Sequence, residues 1–149
     1  MNRCLIAVVL AGLIGLALAW PAAAASPTFS AADFQGRWQL HGINVTSGGV
    51  YSTLFYGTLE MDGNGDIVSG SLFFPEQGGA GSVNSGSFSV TVQGALSGQV
   101  TYFDSAANND FAVVDGRMSL DKNTITLIGR LVTSSGGVIY GKWTLTRIP

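Results

Sequence analysis

The chain has 149 residues, with seven basic and nine acidic side chains, one histidine, one cysteine and a formal net charge of −2. So weak an acidity, with no basic cluster, argues against a nucleic-acid partner. A lone cysteine supports neither an internal disulfide nor a thiolate metal cluster, and the length suits one domain with a real core.

Residues 1–25 read as an export signal, with Arg3 as the positive start, Cys4 to Trp20 as an uncharged apolar run, and Ala23-Ala24-Ala25 as small residues for cleavage before Ser26. The apolar run approaches the length of a spanning helix, but Pro21 and alanines follow it where an anchor would carry flanking charge. Cys4 stands at the start of the run, whereas a lipidation cysteine would come at its end. The expected working protein is therefore residues 26–149, secreted or periplasmic and without a membrane-embedded part. It has no cysteine, so burial and strand pairing alone must hold it.

After a short lead from Ser26 to Gln35, apolar and polar residues alternate, the period of half-buried strands. Tyr51 to Met61 shows it, with Tyr51, Thr53, Phe55, Gly57, Leu59 and Met61 on one face. Strands are predicted near 35–41, 51–61, 67–74, 83–92, 95–103, 110–120, 124–132 and 138–147. Tight turns are expected at Asp62-Gly63-Asn64-Gly65-Asp66, at Gln93-Gly94 and at Asp121-Lys122-Asn123. Longer connections fall at 42–50, 75–82, 104–109 and 133–137. In an up-and-down meander this alternation gathers the longer loops at one end, as an open mouth.

A glycine frame recurs about every 30 residues, as Gly57-x-Leu59-x-Met61, Gly86-x-Phe88-x-Val90 and Gly116-x-Met118-x-Leu120, each leading into a turn. Folding about those turns places Gly57 opposite Gly70, Gly86 opposite Gly98 and Gly116 opposite Gly129. The same registers pair Leu59 with Val68, Phe88 with Leu96, Met118 with Leu127 and Leu120 with Ile125. The first and last strands share the frame, as Gly36-x-Trp38-x-Leu40 and Gly141-x-Trp143-x-Leu145. Pairing those two would close an all-β, up-and-down antiparallel barrel of about eight strands, with no edge left to aggregate.

Gly36-x-Trp38 in the first strand, the eight-strand meander and Arg147 late in the last strand together resemble the calycin group of lipocalins and avidins. That resemblance implies a lipocalin-like domain over residues 26–149, its closed end plugged by a tryptophan with a basic residue packed across it. It implies Arg147 stacked on Trp38, a contact worth about 0.5–2 kcal/mol.

The residues that could carry chemistry are few. His41 falls outward near the mouth, and no cysteine remains to serve as nucleophile or to complete a metal cluster, so neither catalysis, metal nor cofactor is expected. Asp62 to Asp66 opens like a calcium loop, but Ile67 and Phe73 replace the required glycine and glutamate, which leaves a hairpin turn. Asp104 and Asp110 read as solvated loop ends, and Asn44-Val45-Thr46 fits a glycosylation acceptor.

Inward glycines either permit strand curvature or leave unfilled space. The second use predicts a cavity above a plug of Trp38, Trp143 and Arg147 and below a rim of Tyr51, Phe55, Phe74, Tyr102 and Ile139, with Tyr51, Thr53 and Tyr102 as orienting polar groups. The functional expectation is a non-enzymatic barrel that binds a small, mainly apolar ligand at its open end. The alternative is an interaction barrel, because bacterial metalloprotease inhibitors also begin with a Gly-x-Trp strand; that similarity implies an inserting segment at Ser26 to Asp33. A membrane barrel is disfavoured by outward Arg37, Glu60, Arg117, Arg130 and Lys142.

Overall fold

The computed structural model of the protein describes residues 26–49, 52–104, 106–132 and 136–149, so the expected export signal lies outside the described residues. Eight strands follow one another: β1 (Gly36–Thr46), β2 (Ser52–Met61), β3 (Ile67–Phe74), β4 (Gly79–Val90), β5 (Leu96–Phe103), β6 (Asn108–Met118), β7 (Thr124–Val132) and β8 (Val138–Arg147). Each pairs antiparallel with its neighbour, and β1 pairs with β8, setting Trp38 beside Arg147 and Leu40 beside Leu145. The sheet is the closed eight-strand barrel that the alternation requires. In β7, for example, Ile125, Leu127, Gly129 and Leu131 are buried while Ile128, Arg130 and Val132 are exposed. A strand's period of two gives one inward and one outward face.

The glycine registers differ from expectation by two residues in all three hairpins. Gly57 pairs with Leu72 and Gly70 with Leu59, Gly86 pairs with Val100 and Gly98 with Phe88, and Gly116 pairs with Leu127. The causes are local. β2 and β3 contain a bulge at Glu60/Met61, residues 91–95 replace a two-residue turn between β4 and β5, and the turn before β7 needs Lys122 at φ 60°. A two-residue slip keeps every side chain on its face but changes its partner. Val68 and Leu120 do leave the interior, being 61% and 73% exposed. Across these three hairpins glycine therefore meets leucine, valine or phenylalanine rather than another glycine, while Gly129 faces Gly141 on the next strand, with the Phe111 ring against both.

Three strands also extend beyond their predicted ends. β1 continues to Thr46, β4 begins at Gly79 and β6 at Asn108, so three connections at the expected mouth shrink, to 47–51, 75–78 and 104–107, while 133–137 keeps its length. The expected alternation of long and short loops is absent. Gly42 and Gly81 read as loop residues, yet each lies in a strand where a side chain has no room. A Cβ on Gly42 would stand 2.2 Å from the Phe55 ring, and one on Gly81 2.2 Å from the Phe103 carbonyl oxygen.

The lead segment forms the floor of the barrel. Ser30 caps a short 3-10 turn, Ala31–Phe34, in which its amide donates to the Asp33 carboxylate at 2.8 Å. Phe29 and Phe34 are buried, and the Phe34 carbonyl accepts the Trp38 indole N–H at 2.8 Å. Arg147 lies 4.3 Å over the Trp38 ring and donates to the carbonyls of Gln35, Asp33 and Lys122. Lys122 closes the strap through a 2.9 Å ion pair with Asp33.

Candidate functional site

The opposite half of the interior holds a cluster of rings centred on Trp143. Phe111 stacks on it at 4.1 Å, while Phe55 and Tyr102 meet it edge-on at 5.3 Å and 5.7 Å. Phe74 completes the group, 5.5 Å from Phe55 and 6.3 Å from Tyr102. The expected plug includes Trp143 with Trp38, but the neighbours of Trp143 across the strands are Gly42 and Leu127, two inward steps above Trp38. Trp143 is fully buried, at the level of the interior where the cavity was expected.

Two polar side chains are buried at this end, Asn44 and Asn109, the second beside Tyr102 and donating to the Ala107 carbonyl at 3.1 Å. Asn44, 8% exposed, accepts the Trp143 indole N–H on Oδ1 at 3.4 Å and donates from Nδ2 to the Tyr102 hydroxyl at 3.3 Å. An indole N–H can only donate, so the amide's orientation is fixed, and the tyrosine oxygen must act as acceptor. The Tyr102 proton then points elsewhere, and no acceptor for it occurs among the described residues. Burial, reinforced by the negative charge of Asp104 against the opposing hydrogen bond from Asn44, pushes the hydroxyl up to about 12, so it stays protonated. The result is a neutral hydroxyl on a ring packed against Phe74 and Trp143 and bonded to the Asn44 amide.

The predicted rim residues have different fates. Phe55, Phe74 and Tyr102 come together but are buried to 2% exposure, deeper than a rim. Thr53, beside Asn44, and Ile139, beside Leu131, are half-buried at the open end, while Tyr51 lies outside the described residues. Asn44 and Phe111 were missed. Extending the alternation of β1 past His41 would have turned Asn44 inward, where its amide is not free to act as the expected glycosylation acceptor.

The remaining candidates are spent on structure. His41 is exposed, its ring 6.5 Å from that of Tyr56. Asp62 accepts the amides of Asn64 and Asp66 at 2.8 Å and 3.0 Å, fastening its own hairpin, and those hydrogen bonds hold its carboxyl below the usual range. Asp104 accepts the amides of Ala106 and Ala107, and Asp110 takes the Thr101 hydroxyl at 2.6 Å. Among the described residues, no three metal-ligating side chains converge. The segment 26–33, expected as an inserting arm, is instead held beneath the barrel by Phe29 and Asp33.

No protein-family model and no curated protein matches the chain.

Proposed function

We propose that this is an exported, non-enzymatic binding barrel of calycin type, which takes up a small, mainly apolar molecule through the end opposite its floor. The observation that carries the reading is the buried Tyr102 hydroxyl, which accepts from Asn44 but has no acceptor for its own proton among the described residues. A buried donor without an acceptor costs about 1–3 kcal/mol, and a ligand oxygen would recover it. The ligand class is accordingly a flat or flexible apolar body bearing one carbonyl, ether or carboxyl oxygen. Its path lies past Thr53 and Ile139, because Phe34, Trp38 and Arg147 block the other end. Phe55 and Phe111 lie over Gly42 and Gly129, so the ligand takes its space by displacing rings that rest on glycine. The stacking of Arg147 on Trp38 within a closed meander supports the calycin reading. The inhibitor-like alternative loses its arm to the floor.

Titration with a panel of apolar ketones and fatty acids, followed by tryptophan fluorescence, tests this. Saturable quenching is expected, weakened roughly three- to tenfold in Tyr102→Phe, the effect of one hydrogen bond. Absence of saturable binding across the panel would refute it.

A further inference from the structure

The outer wall changes character along the barrel. Near the floor its outward residues are largely serine and threonine, joined across strands as Thr58 to Ser71 at 3.1 Å and Ser89 to Ser97 at 2.9 Å. Toward the open end, β8, β1, β2 and β3 expose Tyr140, Ile43, Leu54, Tyr56 and Phe73, each at least 36% accessible. The strand registers make these one patch, since Ile43 pairs with Leu54, Tyr56 pairs with Phe73, and Tyr140 lies beside Val45. A shallow groove of about 280 Å³ runs over β1 within it, walled by Leu54 on one side and Lys142 on the other.

Charge on this wall has one sign. Lys142 stands beside Ile43 and Arg130 beside Tyr140, and His41 adjoins Tyr56. β7, β8, β1 and β3 contain no Asp or Glu, the Glu60 of β2 lies at the floor end opposite Arg37, and Glu76 sits beyond the patch in the turn after β3. Asp104 follows β5, and Asp110 and Asp115 stand on β6, which borders the patch at β7, where Asp115 faces Ile128 and Asp110 accepts the Thr101 hydroxyl of β5.

We propose that this apolar, basic wall docks peripherally on the surface of a bilayer containing anionic lipids. A closed barrel offers no strand edge, so an extended peptide has no ladder to join. A second copy related by a two-fold axis would bring this acid-free wall against itself, opposing Lys142 and Arg130 to like charges. A bilayer surface fits both features. Tyrosine, phenylalanine and aliphatic side chains on a convex wall sink to the headgroup boundary, while Lys142 and Arg130 face the phosphates. The contact spans only half of the barrel's length, and the serine and threonine zone near the floor stays in water.

The test is co-sedimentation of the full chain and of residues 26–149, in parallel, with vesicles of phosphatidylcholine alone or mixed with phosphatidylglycerol. Both forms are expected to bind the anionic vesicles, more weakly in high salt. Lys142→Glu with Arg130→Glu, and separately Ile43→Ser with Leu54→Ser, should each reduce the binding of residues 26–149 by roughly tenfold or more while circular dichroism stays native. Binding unchanged by either pair in natively folded protein would overturn the proposal. So would an absence of vesicle binding together with a dimer in the ultracentrifuge that either pair dissolves.

Discussion

Gly57 shows how closely the interior is fitted at the level of single residues. A Cβ placed there would stand 1.9 Å from the Ser71 carbonyl oxygen, whereas one on Gly63 would meet nothing nearer than Gln35 Oε1 at 3.6 Å. Gly57→Ala should therefore cost about 1–3 kcal/mol through overpacking, and Gly63→Ala under about 0.5 kcal/mol. Urea denaturation midpoints of the two variants check the contrast. Tyr102 gives a second prediction, this time in pH. Its protonated hydroxyl is favoured in the folded state, so the contribution is complete below the ordinary value of 10.0 and is lost as pH rises toward about 12. Alkaline unfolding of Tyr102→Phe should lack that part of the decline, as followed by circular dichroism against pH. A single asparagine marks the limit of legibility at this scale. Asn44 reads as a surface acceptor from three residues, and as a buried anchor only once β1 is known to continue past Gly42.

Among the elements, the strap is the one that the sequence conceals. Ala31–Phe34 is too short to show a helical period, and the burial of Phe34 depends on a floor formed by residues far along the chain. Phe34→Ala should cost about 3–5 kcal/mol, and thermal unfolding measures it. The ion pair beneath has a pH signature. Burial raises the Asp33 carboxyl, but the hydrogen bonds from Lys122 and Ser30 and the charge of Lys122 outweigh it, leaving it below its ordinary 3.8. A depressed carboxylate stabilises above its unfolded value, and that stabilisation fades as pH falls below 3.8. Asp33→Asn should flatten the acid limb of a stability profile, whereas a wild-type limb in the variant would contradict the ion-paired strap. The strands themselves were plain to read, since a dry lumen imposes period two on all eight. Their registers were not, because bulges and positive-φ turns change which residue faces which without disturbing the alternation on either strand.

For the whole molecule, closure follows from pairing β1 with β8, and the proposed ligand would enter at the end opposite the floor. The aromatic layer around Trp143 then decides between an inert scaffold and a receptor. Its filling was not legible, because a glycine repeat looks the same whether glycines face one another or face leucine, valine and phenylalanine. The register and the occupied lumen are one claim, and proton nuclear Overhauser spectroscopy tests it most directly. Contacts are expected from Gly70 Hα to the Leu59 methyls and from the Trp143 indole to Phe111 and Asn44. Contacts between Gly57 Hα and Gly70 Hα, with a Trp143 indole N–H that exchanges freely with water, would contradict it.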